Sequence, residues 1–372
     1  MGKIAVFTVF RNTNYGAVLQ SYASTTFLKR LTGEDVYLID YIRNQNTNLM
    51  HHGIVYYGRH GEKSINKTSL KKFIKSMMNY GGTFARARVF SEFINGILPV
   101  YPQEFFDGDK IVLEGFDYYF LGSDQIWNPD IMKGFHDAYF GITESHPKKI
   151  IAYAPSLGKL SFSEDEREVL AEKLTNVDAL SCREVDSCRY LEELTGKDVK
   201  CVIDPTLLLN REDWLHISDR NAELPENYIL VYSLRFDRQL MSIALEKAKE
   251  TGAKVILLGT GEGVPDKGIL YKRAFGPAQF ITSISKASYV FTDSFHGTAF
   301  SILFGKQFVV RANGEKGQRM ESICGLLGLR QRTFREFQEL PDIDEKIDYD
   351  AVYDRLAELR KESVRYIQES IG

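Results

Sequence analysis

Residues 287–304 carry the strongest chemical signal in the sequence. Their pattern predicts a short buried strand, a tight polar loop and a helix that begins at Thr298. The loop holds an imidazole, His296, and the carboxyl group of Asp293. The small residues around them are Ser294, Gly297 and Thr298. A loop that leads into a helix offers free backbone N–H groups and a positive dipole end to an anion. We therefore predict that His296 transfers a proton beside a bound phosphate or carboxylate.

Two other polar loops follow predicted strands, at residues 11–16 and 122–129. Asp124 lies in the second loop and, like Asp293, is predicted to accept a hydroxyl proton or to orient His296. Either carboxylate could instead cap a turn. Trp127 offers a face on which a sugar ring could stack, or it packs beneath the loop. The residues of these loops that we expect at a ligand edge are Asn14, Tyr15, Gly16, Ser123, Gln125 and Trp127. For the first loop, the alternative is a tight turn with a capping asparagine.

Arginines near strand ends are candidates for binding an anion, because guanidinium recognises phosphate and carboxylate through two parallel hydrogen bonds. A ligand that carries both groups needs at least two of them. Arg183 and Arg235 each closely follow a predicted strand and are the stronger candidates, and Arg311 and Arg319 are the others. For any one of them, the alternative is a structural ion pair.

These loops require alternating strands and helices to position them. A strand at residues 3–10, a helix at 17–31 and a strand at 36–41 open the chain, and the same rhythm restarts after Pro205. We predict an α/β fold of two facing, doubly wound Rossmann-like domains, at residues 1–205 and 206–372, with a closing C-terminal helix. The strand-end loops should line the cleft between the domains.

Composition narrows the class of ligand. The 372 residues include 47 Lys and Arg against 50 Asp and Glu, so the basic excess typical of nucleic-acid-binding proteins is missing. The seven histidines are scattered, and we predict no metal site. The four cysteines are too sparse for a disulfide scaffold, which favours a reducing compartment. The sequence shows no leader peptide and no membrane span, so we expect a cytoplasmic protein.

The segment from Lys63 to Arg88 is the most basic part of the chain. Apolar residues are interleaved with its lysines, a pattern that suits peripheral contact with the inner face of a membrane or with a lipid phosphate. The alternative is an ordinary solvated helix face.

Taken together, four ordered motifs resemble the polysaccharide pyruvyl transferase family. The motifs are NYGAVLQ at 14–20, GSDQIWNP at 122–129, DPTLL at 204–208 and TDSFHGT at 292–298. The resemblance covers residues 4–330. It implies a fold like that of GT-B glycosyltransferases and the transfer of pyruvate from phosphoenolpyruvate to a sugar as a cyclic ketal. Phosphoenolpyruvate is then a co-substrate, and no cofactor is expected.

The resemblance also assigns roles. It implies a donor site of arginines and a histidine in the C-terminal domain, and His296 matches that histidine. The residues identified above fit this chemistry, with His296 as general acid and Arg183 and Arg235 on the phosphate and carboxylate. The remaining donor-side candidates are Ser294, Gly297, Thr298, Arg311 and Arg319, whereas the N-terminal loops would bind the acceptor. Better-studied members carry an arginine two residues before the histidine, where this sequence has Ser294. Another arginine would have to supply that charge.

Two other functions stay open from the sequence. One is a glycosyltransferase that uses a nucleotide sugar, because the two-domain architecture is shared and a fold does not fix a function. The other is a noncatalytic glycan-binding protein in which Ser294 marks a lost donor site. The acceptor sugar, its lipid linkage and the oligomeric state are not determined by the sequence.

Overall fold

The computed structural model describes residues 2–42, 85–234, 236–259 and 268–372. The first sheet has strands β1 to β5, all parallel, in the order β3-β2-β1-β4-β5. Their bounds are Lys3–Phe7, Asp35–Ile42, Val100–Phe106, Phe116–Leu121 and Lys149–Ala152. This order is that of a doubly wound Rossmann sheet.

The second large sheet repeats that order. Strands β8 to β13 are parallel and run β10-β9-β8-β11-β12-β13. Their bounds are Tyr228–Ser233, Lys254–Gly259, Ile269–Tyr271, Tyr289–Thr292, Gln307–Arg311 and Thr333–Phe334. Between these two sheets in the sequence comes a parallel pair, β6 at Leu180–Cys182 and β7 at Val199–Cys201. An isolated parallel bridge joins Ala179, just before β6, to Ile151 of β5. The predicted α/β fold with two doubly wound sheets is confirmed, and the boundary at residue 205 stays a prediction.

Helices cover the sheets. The α-helices with defined bounds are Tyr15–Thr32, Pro129–Met132, Glu164–Leu174, Val185–Thr195, Arg211–His216, Arg238–Thr251, Pro277–Lys286, Phe295–Leu303, Gly314–Leu326 and Tyr349–Ile371. Short 3₁₀ turns lie at Asp137–Phe140, Pro205–Leu207, Arg330–Arg332 and Phe337–Glu339. Three α-helices matter most below: Tyr15–Thr32 is the first helix, Phe295–Leu303 the site helix and Tyr349–Ile371 the closing helix.

The first helix shows how the sequence sets these elements. Asn14 caps it, because its side-chain oxygen accepts hydrogen bonds from the backbone N–H groups of Gly16 and Ala17 at 2.9 and 3.4 Å. The helix ends at Gly33, whose φ of 72° is left-handed and favours glycine. The first helix begins at Tyr15, two residues before the predicted start. The preceding strand, β1, ends at Phe7 rather than at residue 10.

The two halves of the chain pack against each other through aromatic residues. The ring of Tyr15 stacks on Phe280 with centroids 4.6 Å apart, and its hydroxyl donates to the carbonyl of Phe275 at 2.8 Å. Arg86 lies over the Tyr15 ring at 4.4 Å and donates to the Tyr15 hydroxyl. Because one apolar core runs through residues of both halves, their relative position is set by burial.

The closing helix ties the halves a second time. From its C-terminal part, Tyr366 donates to the carbonyl of Ala152, the last residue of β5, at 2.7 Å. Nearer its start, the hydroxyl of Tyr349 donates to the carbonyl of Lys306, just before β12. The predicted closing helix is thus confirmed and spans both sheets.

The basic segment that suggested membrane contact falls mostly outside the described residues, which resume at residue 85. Arg86, which belongs to it, is 6% exposed and lies against Tyr15, so it is an internal residue and not part of a basic surface. Among the described residues, no helix is long and apolar enough to cross a membrane.

Candidate active site

The loop after β11 forms the N-terminus of the site helix. Ser294 is the N-cap, and its hydroxyl oxygen accepts from the N–H of Gly297 at 3.5 Å. Thr298 donates back to the carbonyl of Ser294 at 3.0 Å. A Cβ at residue 297 would lie 2.2 Å from the hydroxyl oxygen of Thr292, so this close approach requires glycine. The helix begins at Phe295 rather than at the predicted Thr298, and the contacts of Ser294, Gly297 and Thr298 build the helix start instead of a donor contact.

His296 lies on the first turn of the site helix and is 6% exposed. One side of its ring meets the first helix, where a Cβ added to Gly16 would lie 2.0 Å from Nδ1. On the other side, Nε2 is 3.7 Å from Oδ2 of Asp204. That separation is short enough for an ion pair but too long for a hydrogen bond. Nε2 is buried and has no hydrogen-bond partner among the described residues.

Asp204 is the central acid of this site, and the sequence analysis assigned it no chemical role. It is fully buried. Its Oδ1 accepts from the backbone N–H and the hydroxyl of Thr206 at 3.0 and 2.7 Å. Its Oδ2 accepts from Nη1 of Arg183 at 2.7 Å and from the hydroxyl of Ser123 at 3.1 Å. Burial alone would raise the pKa of Asp204, but His296, Arg183 and the Thr206 N–H outweigh it, so the pKa lies well below its usual range.

Arg183 follows β6 directly and is 3% exposed. Its Nε donates to Glu184 at 3.0 Å, and its guanidinium lies 4.1 Å from the ring centre of Phe295. Burial would lower the pKa of Arg183, but the charges of Glu184 and Asp204 raise it above its ordinary value. Nη2 is buried without a hydrogen-bond partner in the described part of the chain. Nε and Nη1 of the Arg183 guanidinium are therefore held by protein carboxylates, whereas Nη2 can bind a ligand.

Arg319 comes from the helix Gly314–Leu326 and is 9% exposed. Burial lowers the pKa of Arg319, and the charge of Arg183 lowers it further. The carboxylates of Glu184, Asp124 and Asp204 oppose this effect in part. Its Nε is buried and unpaired with respect to the residues described. Two guanidiniums that repel each other inside the protein favour an anion between them.

Three buried groups with unpaired nitrogens, those of Arg183, Arg319 and His296, thus surround Asp204. We call these three residues the anion site. The set suits a small ligand with two anionic groups beside a proton donor. Within the described residues, no group of three or more His, Cys, Asp or Glu side chains could hold a metal ion.

Asp293 does not orient His296. Its Oδ2 accepts from the hydroxyl of Ser233 at 2.8 Å and its Oδ1 from the N–H of Leu234 at 2.9 Å. It thereby ties the end of β11 to the end of β8, and burial raises the pKa of its carboxyl group. The alternative of a structural carboxylate at a turn fits these contacts, whereas the predicted contact with His296 does not.

Two further predicted arginines have different outcomes. Arg311 forms an ion pair with Asp237, which is the structural alternative considered for it. Arg235 lies outside the described residues. Of the predicted donor arginines, Arg183 binds Asp204 beside His296, and Arg319 lies within electrostatic range of Arg183 and Asp204.

The N-terminal loops reach the same site from the other half. Gly16 contacts the ring of His296, and Ser123 bonds to Asp204. Asp124 is partly exposed, and its charge acts on both Arg183 and Arg319. Its φ of 68° is left-handed, a conformation that aspartate adopts more readily than most residues.

The other acceptor-side candidates have structural contacts. Asn14 caps the first helix, and Tyr15 is fully buried between the halves. Gln125 accepts from the side chain of Asn128 at 2.9 Å. Trp127 has no exposed surface, donates to the carbonyl of Tyr139 at 2.9 Å and stacks on Phe140. The stacking role predicted for Trp127 does not fit, because neither face is open to a sugar, and the packing alternative does.

Comparison with known proteins gives one family. The polysaccharide pyruvyl transferase family model matches residues 14–315, which is most of the chain. No functionally curated protein matches the sequence.

Solved structures with a similar fold are distant. A putative UDP-N-acetylglucosamine 2-epimerase from Listeria monocytogenes is 12% identical, with 98% of this chain and 90% of that chain covered and a TM-score of 0.44. The UDP-GlcNAc 2-epimerase of Methanocaldococcus jannaschii, in complex with UDP-GlcNAc and UDP, is 12% identical, with 98% of both chains covered and a TM-score of 0.45.

Proposed function

Because the chain belongs to the polysaccharide pyruvyl transferase family, we propose that it transfers pyruvate from phosphoenolpyruvate to a sugar as a cyclic ketal. The observation that supports this most directly is the anion site. Its three residues have buried nitrogens without protein partners, and two of these residues are guanidiniums. Burying unpaired cationic groups is costly unless a ligand pairs with them.

Phosphoenolpyruvate fits this set because it is a small molecule that carries a phosphate and a carboxylate on the same carbon atom. The free arm of Arg183 and the guanidinium of Arg319 each bind one of these groups. Arg319 then supplies the charge that Ser294 cannot, since Ser294 caps the site helix. The ring of Phe295 beside Arg183 keeps water away from one side of the guanidinium.

His296 is the general acid of the proposed reaction. It gives its proton to the terminal methylene carbon of phosphoenolpyruvate, which becomes a methyl group, and the adjacent carbon becomes an oxocarbenium-like centre. One sugar hydroxyl attacks that centre and loses its proton. A second hydroxyl then displaces the phosphate and closes the ketal. Of the two protons that the hydroxyls lose, one regenerates His296 and the other leaves with the phosphate, so that the products are the ketal and inorganic phosphate. General acid catalysis of this kind contributes about 10²- to 10⁴-fold in rate.

Asp124 is the better candidate for accepting a proton from the sugar hydroxyl. Unlike Asp293, it is near the anion site, as its effect on both arginines indicates. Its side chain is also partly exposed, so an acceptor can reach it from the N-terminal half. We also propose that the acceptor is a sugar linked to a lipid and that the reaction takes place at the inner face of a membrane.

Calorimetric and thermal-shift titrations test the donor. We expect saturable binding of phosphoenolpyruvate to the wild type and no comparable binding of UDP or GDP. Arg319→Lys should weaken that binding about 10-fold or more, because lysine loses the bidentate geometry. Arg332→Lys is the matched control: Arg332 is a buried arginine that bonds to the carbonyls of Asp342 and Glu345, and its replacement should leave binding unchanged.

Phosphate release in the presence of candidate sugars tests the reaction, and His296→Ala should slow it about 10²- to 10⁴-fold while donor binding remains measurable. Binding of UDP or GDP without binding of phosphoenolpyruvate would replace this function with that of a nucleotide-sugar glycosyltransferase. Glycan binding without phosphate release from phosphoenolpyruvate would indicate the noncatalytic protein instead.

A further inference from the structure

We propose that Asp204 is a positioning residue that holds the imidazole of His296 in place across the junction between the two halves of the molecule. The inference rests on the proposed transfer reaction, in which His296 donates a proton. It assigns Asp204 no contact with the donor or the sugar.

The carboxylate of Asp204 is fixed in both position and charge. Thr206 supplies two donors to Oδ1, and Arg183 supplies one to Oδ2. The hydroxyl of Ser123 shares its single proton between Oδ2, at 3.1 Å, and the carbonyl of Ala154, at 2.8 Å. Donors on both oxygens favour the ionised carboxylate and leave little freedom to rotate. Oδ2, which receives the charged donor, is also the oxygen that faces Nε2 of His296 at 3.7 Å.

Within the described residues, Asp204 is the carboxylate that lies within ion-pair distance of His296. The other carboxylates of the site, Glu184 and Asp124, act on the guanidiniums of Arg183 and Arg319. Asp204 is therefore the side chain that can fix the position of Nε2 from this side of the ring.

The arrangement also joins the two halves. Ser123 and Arg183 follow strands β4 and β6, which precede Asp204 in the chain, whereas His296 follows β11 of the second sheet. On the opposite side of the ring stands Gly16 of the first helix. The imidazole is thus held between two elements that both belong to the N-terminal half.

Steady-state kinetics and donor calorimetry of Asp204→Asn test the proposal. We expect kcat to fall about 100-fold or more, because the imidazole is no longer held at its reacting position and a displacement of about 1 Å costs on the order of 100-fold in rate. The affinity for phosphoenolpyruvate should stay equal or become tighter, because a negative charge beside the anion site has been removed and Glu184 still holds Arg183. A merely structural role would instead weaken donor binding together with turnover.

Asp40→Asn is the matched control. Asp40 is also a buried aspartate in an arginine pair, with Arg11 at 2.7 Å, and it lies in the same half of the molecule. Its replacement should lower the unfolding temperature without separating kcat from donor affinity.

A double-mutant cycle with His296→Ala decides whether Asp204 acts through His296. In the His296→Ala background, Asp204→Asn should change the residual rate by less than about 3-fold, because residues that act as a unit are strongly non-additive. Equal fold-losses in both backgrounds would overturn the proposal. If Asp204→Asn does not fold, Ser123→Ala takes its place, since it removes a donor to Oδ2 and keeps the charge. Its loss of kcat should be about 3- to 10-fold and should likewise vanish without His296.

A failure of the proposed function can be distinguished from a failure of the role proposed for Asp204. If the wild type releases no phosphate from phosphoenolpyruvate with any sugar, that function fails, and the four proteins of the cycle still decide on Asp204 by thermal unfolding. Non-additive shifts in unfolding temperature would support the Asp204–His296 pair, and additive shifts would exclude it.

Discussion

Gly16→Ala is the sharpest test of the site, because it adds one methyl group far from His296 in sequence and against it in space. The added Cβ would lie 2.0 Å from Nδ1, 2.4 Å from Cγ and 2.6 Å from Cε1 of His296. Ordinary contacts of this kind begin at 3.4 Å, so the ring must retreat by about 1.4 Å, which is 3.4 minus 2.0. Asp204 and the neighbouring Phe295 ring, whose centroid is 5.2 Å away, limit the retreat.

A displacement of about 1 Å at a reacting group costs on the order of 100-fold in rate. We therefore expect kcat/KM for phosphate release to fall at least about 100-fold in Gly16→Ala. The clash should lower the free energy of unfolding by about 1–3 kcal/mol, which leaves a protein of this size folded. Binding of phosphoenolpyruvate should change much less than turnover, because Arg183 and Arg319 are untouched.

Gly96→Ala is the control for this substitution. Gly96 also lies in a helix, and an added Cβ there has no heavy atom within 4 Å. It should keep full activity and gain stability of about 0.5–1 kcal/mol. Wild-type kcat/KM in Gly16→Ala, with an unchanged unfolding temperature, would refute the placement of His296 against the first helix and with it the role of that imidazole.

Three further changes test the surroundings of the site. Trp127→Phe should lower the free energy of unfolding by about 1–3 kcal/mol in denaturant titrations and leave kcat unchanged, because Trp127 packs rather than binds; a loss of sugar affinity alone would contradict this. Burial lowers the pKa of Lys306 to about 8, from 10.5, so the folded protein binds fewer protons than the unfolded chain in that window and stability should rise with pH through it. Lys306→Met should accordingly stabilise the protein by about 1–2 kcal/mol below pH 8, after allowance for partial exposure, and this gain should vanish near pH 10.5; a pH-independent difference would contradict the assignment. Tyr366→Phe removes one buried hydrogen bond of the closing helix and should cost about 1 kcal/mol in thermal unfolding, with no change in donor affinity.

The fold could be predicted from the sequence because its signals are local. Apolar runs of strand length alternate with helical patterns, and parallel strands place their following loops at one edge of a sheet. His296 was found for this reason: a polar loop between a buried strand and a helix is visible without any contact information. Arg183 was found in the same way, because it follows its strand directly.

What the sequence does not reveal are partners that are distant in sequence. The proline after Asp204 indicates the end of a strand, but nothing local indicates that Ser123, Arg183 and His296 meet at the carboxylate of Asp204. Arg311 looked as suitable as Arg319 until its pairing with Asp237 was seen.

By itself, the sequence determined the parallel α/β architecture, the family and the imidazole of the candidate site, because periodicity and short ordered motifs encode them. The tertiary structure decided which charges stay unpaired in the described residues. Burial and ion pairing depend on which segments meet. The contacts that distinguish Arg319 from Arg311, and Asp204 from Asp293, join residues 21 to 92 positions apart. The same long-range packing closed both faces of Trp127 and set Gly16 against His296.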